Sequence, residues 1–250
     1  IEEFNANITS IIDESVRELS MTFDKLYDER KSKDIPTAIN AAEALLPLDY
    51  NIPTKMQIYY DIANAFHDLR VIEGIDEEHY LEKEIYHLRC ALDLYENNYY
   101  DDESNSAETK VAQYIAMRSY TNLGNAYQAI GRYIVAIDCL QNALIISNDF
   151  AMASLNLSLL LFRYAHLQIK DYEQNYYHHA CYYYYKQTEN CKINLENPEY
   201  FENLKSYISL FKPTYVESFL SKPLDLPAFN VDSQDEADYR NYLLLFRLFL

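Results

Sequence analysis

His178 and Cys181 stand one helical turn apart, with His179 between them and Cys191 further on, so a zinc ion could share two of these side chains on one helix face. Zinc sites usually close with a second tightly spaced pair, and Cys191 belongs to none. No metal ligand and no cofactor is therefore expected. Catalysis has less still to build on. The 3 glycines, Gly74, Gly124 and Gly131, are too scattered for a phosphate-cradling loop, and neither a nucleophile elbow nor a paired-carboxylate signature is present. The acidic runs at 101–103 and 235–238 read as solvated loops. No catalytic residue is expected, and this chain is not read as an enzyme. Asparagine remains, because its amide offers a donor and an acceptor together and so matches a peptide unit. Asn64 and Asn125 each stand two residues before an aromatic, Phe66 and Tyr127.

The elements that would position these groups are clearest from Tyr120 to Ala143, YTNLGNAYQAIGRYIVAIDCLQNA. Leu123, Gly124 and Tyr127 fall on one helical face, Gly131 breaks the helix, and Tyr133, Ala136, Leu140 and Ala143 form the inward face of a second helix. Gly124 and Ala136 let the two backbones approach while Tyr127 and Leu140 fill the space beside them. This order resembles a tetratricopeptide (TPR) repeat, whose pattern runs aromatic, Leu-Gly-x-x-Tyr, then Ala-x-x-x-Phe-x-x-Ala over about 34 residues. Tyr120 takes the aromatic place and Leu140 replaces the Phe. The resemblance implies an all-α solenoid of helical hairpins whose concave face is built from first helices, where an Asn commonly holds a peptide backbone. On that alignment Asn64 and Asn125 share one inner place and Asn122 and Asn156 a second, with Tyr60 and Arg118 beside them. The same asparagines would also be tolerated simply as polar groups on a concave face.

Along the rest of the chain, Ile8, Ile11, Ile12, Val16, Leu19, Phe23 and Leu26 recur at three- and four-residue steps, predicting one amphipathic helix over 6–30. Pro36 opens TAINAAEALLP, which Pro47 ends. A helix after Pro53 carries Tyr59, Ile62, Ala63 and Phe66, and EIYHLRCALDLYE is its partner. Between them VIEGIDEEHY makes either a longer loop or extended helix ends. ENNYYDDESNSAETK reads as an exposed, partly mobile insertion. Leu157, Ser158 and Leu161 start a further hairpin whose second helix begins near Asp171. The expected organisation is three to four divergent TPR-like repeats over 1–190, then carboxy-terminal helices over 191–250 leading toward a further domain or partner. Tyrosine is overused, 26 residues with no Trp, and the run Tyr176, Tyr177, Tyr182, Tyr183, Tyr184 and Tyr185 must point in several directions. Interhelix packing or an aromatic binding surface would account for it.

The formal net charge is −18, a field that repels phosphate backbones, so nucleic acid is not expected to bind this region alone. A peptide or protein partner, basic in character, fits better. Four cysteines without pairing motifs point to a reducing cytoplasm, and no apolar run approaches the ~20 residues that cross a bilayer. The chain begins at Ile1 and ends in LLLFRLFL, so it reads as a piece of something longer, and the apolar tail calls for a downstream domain or a second copy to cover it. From Phe211 onward it also resembles prokaryotic effectors in which TPR repeats precede a HEPN-type RNase domain with phage-defence roles. Such nucleases need Arg and His at a longer spacing than Arg163 and His166 provide, so any catalytic residues would lie beyond Leu250. Two functions are thus expected: a non-enzymatic scaffold or sensor binding through its concave face, or the sensing region of such an effector.

Overall fold

The computed structural model describes residues 2–73, 78–100, 102, 104–168, 177, 180, 181 and 183–188. The described residues form helices and contain no strand, and none of these helices is long and apolar enough to cross a membrane. The chain divides into two compact units, 1–126 and 127–250. The boundary expected at 190/191, the zinc candidates His178, His179 and Cys191, and Tyr176 and Tyr182 lie outside the described residues.

The first unit opens with α1 (Glu2–Ile11) and α2 (Glu14–Asp28), where the apolar periodicity had predicted one helix. The break comes from Asp13, whose carboxylate accepts the Ser15 N–H at 3.0 Å and the Ser15 hydroxyl at 2.6 Å, capping a new first turn. The freed end of α1 is taken up from far along the chain: Asn51 Nδ2 donates to the Ile11 carbonyl at 2.8 Å. Thus a non-local bond replaces the local one that a continuous helix would have made. Helix α2 ends at Arg30, which is left-handed (φ 52°), with Arg30 N–H donating to Tyr27 O and Lys31 N–H to Leu26 O. Pro36 stands in the first turn of α3 (Ile35–Leu45), which buries Ile35, Ala38, Ile39 and Ala42 and stops short of Pro47.

Helices α4 (Ile52–Glu73) and α5 (Glu78–Asn98) are the extended helix ends that one reading of VIEGIDEEHY allowed, separated only by 74–77. They run antiparallel: Arg70 meets Glu84, Phe66 stacks on His87 with centroids 5.8 Å apart, and Tyr59 also reaches His87. Met56, Ile58, Ile62, Ala65, Phe66 and Leu69 are all buried, because α4 packs against α2, α3 and α5 at once. The contacts Asp13 to Thr54 and Ser20 to Asp61 share one sequence offset, so α2 and α4 lie side by side and parallel. Between α5 and α6 (Ala107–Ala129) the predicted insertion is shortened by the extra length of α5 and closed by its own hydrogen bonds. Ser106 Oγ caps α6 by accepting the Thr109 N–H at 3.0 Å, the Thr109 hydroxyl donates to Asp102 at 2.6 Å, and the buried Tyr99 donates to Glu108.

In the second unit Gly131 turns the chain as expected. It is left-handed (φ 77°), its N–H donates to Gln128 O, and Arg132 N–H donates to Tyr127 O at 2.9 Å. Helices α7 (Tyr133–Ile146) and α8 (Ala151–Ala165) follow as an antiparallel pair, with Tyr133 near the start of one against Tyr164 near the end of the other. Ala136, Leu140 and Ala143 are buried on α7, and Leu157, Ser158 and Leu161 on α8. Ser158 Oγ donates to the Cys181 carbonyl at 2.7 Å, so the small side chain admits a neighbouring backbone. Tyr164 and Tyr177 meet edge to face at 4.8 Å, and Tyr185 is buried, so these tyrosines serve packing.

Candidate binding site

Three of the first unit's helices place a polar row on a shared face. Gln57, Asp61, Asn64 and Asp68 follow one another at three- and four-residue steps along α4, and Tyr114, Arg118, Asn122 and Asn125 do so along α6. Ser20 and Asp24 stand on α2. The sequence therefore builds the row by interrupting the apolar pattern once per turn.

The rows are joined by specific bonds. Asn122 Nδ2 donates to Asn64 Oδ1 at 2.8 Å and to the Tyr60 hydroxyl at 3.3 Å. The Arg118 guanidinium lies over the Tyr60 ring, 4.6 Å from its centroid, and within 5.4 Å of the Tyr114 ring. Four of the six expected groove residues, Tyr60, Asn64, Arg118 and Asn122, are thus brought together on α4 and α6. Asn125 sits one turn past Asn122, half-buried, and does not reach Asn64. The side chain that meets Asn64 is Asn122, one turn earlier on α6. Asn156 is 4% exposed on α8 in the second unit, where its amide meets protein rather than solvent.

Asp61 is the central residue that sequence reasoning missed. It is buried, and its carboxyl accepts from Gln57 Nε2 at 2.8 Å while lying 2.5 Å from Ser20 Oγ. Burial raises its pKa to about 7, against the pull of the Ser20 and Gln57 bonds and of the Arg118 charge. Asp68, two turns further along α4, is pushed up to about 6, again chiefly by burial. A signal existed: a lone Asp set between Tyr60 and Ile62 on a helix buried on several sides needs partners from neighbouring helices.

A second cluster faces α5. Glu84, buried, takes Arg70 Nη2 at 3.1 Å and lies 3.4 Å from His67 Nδ1, tying the ends of α4 and α5 together. His87 is buried between Phe66, Tyr59 and Tyr86, its Nδ1 has no hydrogen-bond partner, and burial depresses its pKa to about 4. Glu84 and His87 are thus enclosed, while His67 and Tyr86 stay exposed at the edge of the cluster. Among the described residues no set of three His, Cys, Asp or Glu side chains is disposed to hold a metal, and Cys181 is buried with its thiol pushed up to about 11 by burial.

Asn64 and Asn122 spend one donor and one acceptor on each other, and the remaining amide atoms, with the Arg118 guanidinium, suit a peptide backbone or a polar side chain. No protein-family model, curated protein or solved structure matches this chain.

Proposed function

We propose that this chain is a TPR-like scaffold or sensor module, a divergent helical-hairpin solenoid, that holds a peptide or protein segment on the face formed by α2, α4 and α6. The observation that carries this reading is the Asn64–Asn122–Tyr60–Arg118 cluster. Amides from two parallel helices converge there beside a cation stacked on aromatic rings, an arrangement that a hydrophobic core has no need to keep. The parallel run of α2, α4 and α6, with α5 antiparallel to α4, also agrees with the resemblance seen from Tyr120 to Ala143. The acidic neighbours Asp24 and Asp68 and the net charge of −18 favour a segment that is basic overall.

Labelled short peptides of positive, neutral and negative net charge, titrated by fluorescence anisotropy, test the reading. Positively charged peptides are expected to bind, and Asn64→Ala with Asn122→Ala to weaken them at least about tenfold, about 1.4 kcal/mol, with little change in Tm. Absence of binding by every class, or equal binding by the double variant, would remove the face from consideration.

A further inference from the structure

The proton count around Ser20 does not balance if Asp61 is a carboxylate. Ser20 Oγ lies 2.5 Å from Asp61 Oδ2 and 3.1 Å from the Val16 carbonyl oxygen. A serine hydroxyl carries one proton and can donate to only one of these acceptors. Both contacts become hydrogen bonds together when the proton between Ser20 and Asp61 belongs to Asp61: Oδ2–H donates to Ser20 Oγ, and Ser20 donates to Val16. Oδ1 stays an acceptor and keeps the Gln57 amide at 2.8 Å. We propose that Asp61 is held as a neutral carboxylic acid at the seam of α2 and α4, and that release of this proton to solvent is a switch on the charge of the adjoining binding face.

The surroundings bear on the switch from each side. Asp24 of α2 disfavours the ionised form, and Arg118 of α6 favours it. On α4 itself Gln57 donates to it, and Asp68 follows two turns on. The titratable group of α3, Glu43, is exposed, and Glu84 and His87 of α5 lie against Phe66, His67 and Arg70 rather than against Asp61. Burial, with Asp24 adding to it, outweighs the Ser20 and Gln57 bonds and the Arg118 charge, which places the transition near neutrality. While Asp61 is neutral, the Arg118 charge stacked on Tyr60 stands unopposed by it. Once Asp61 ionises, the two charges offset each other and Ser20 must give up one of its bonds. The effect on a bound peptide rests on the binding reading above, whereas the titration itself does not.

Carboxyl-carbon NMR of the full chain across pH 4 to 9 tests this without any ligand. One carboxyl resonance is expected to titrate with a midpoint near 7 and to vanish in Asp61→Asn. Arg118→Gln should move that midpoint up and Asp24→Asn, at an exposed site, should move it down. A carboxyl remote from Arg118 and Asp24 would show neither shift. Titration of every aspartate below about pH 5, where unperturbed carboxyls lie, would overturn the proposal. So would a midpoint that neither substitution moves. Loss of peptide binding with the titration intact would remove the binding reading and leave the switch standing.

Discussion

Two residues in the left-handed region close helices with the same pair of hydrogen bonds, Gly131 after α6 and Arg30 after α2. For glycine this backbone is free of strain, while a side chain there costs ~1–2 kcal/mol before the entropy of the unfolded chain is counted. A Cβ at Gly131 would meet nothing within 4 Å, so the cost of adding one is dihedral alone. Gly131→Ala is therefore expected to lower stability by about 1 kcal/mol, and Arg30→Gly to raise it by about 0.5 kcal/mol. Urea unfolding with an unchanged m value checks both, and an Arg30→Gly variant less stable than the parent would contradict the account. Gly131 was readable in the sequence because glycine advertises this conformation. Arg30 was not, since arginine carries no such signal and only the bonds to Tyr27 and Leu26 reveal it.

Helix ends show where sequence reading works and where it stops. The helix, turn and helix from Tyr120 to Ala143 were legible because Gly131 marks the turn and the apolar residues on either side recur at helical spacing, a local property. The break at Asp13 was not, because the apolar steps from Ile8 to Val16 run straight through it. Asp13 caps the new helix, and the end of α1 that the break leaves is taken up by Asn51 and Thr54, which reach Ile11 from across the first unit. Asn51 does two tasks, since its Oδ1 also accepts the Thr54 N–H at 2.9 Å to cap α4. Asn51→Ala should thus cost more than an ordinary cap, about 1–2 kcal/mol, and should speed amide exchange at the end of α1 as well as at the start of α4. Exchange altered at α4 alone would show that the bond to Ile11 carries no weight. In the candidate site, Tyr60, Asn64, Arg118 and Asn122 were reachable through repeat register. Asp61 required knowing that α2 lies beside α4, which no local pattern states.

At the scale of the molecule, buried groups and net charge act on stability in the same direction. Asp61 and Asp68 have folded pKa values of about 7 and about 6, above their ordinary values, so each contributes stability that is full below about pH 4 and lost as pH rises through the folded value. His87 works the other way: depressed to about 4, it contributes stability above about pH 6.5 that is lost as pH falls toward 4. Two carboxyls against one imidazole leave a net fall as pH rises, and the charge of −18 adds self-repulsion on the alkaline side. Between pH 4 and 9, Tm is therefore expected to be highest at the acid end and to decline toward pH 8, with Asp61→Asn flattening that decline and His87→Phe raising Tm most near pH 4. A thermal melt series from pH 4 to 9 reads this directly, and a Tm still rising from pH 6 to 8 would refute it.

The boundary between the two units falls after Ala126, inside α6, ahead of the turn that ends the helix. A chain cut at that boundary would keep Asn122 and Asn125 but discard Tyr127, Gly131 and Arg132, whose bonds finish the helix on which those asparagines stand. The shortest fragment suited to isolating the proposed binding face therefore ends beyond Arg132, and any tag or fusion joined at Ala126 would sit on an unfinished helix.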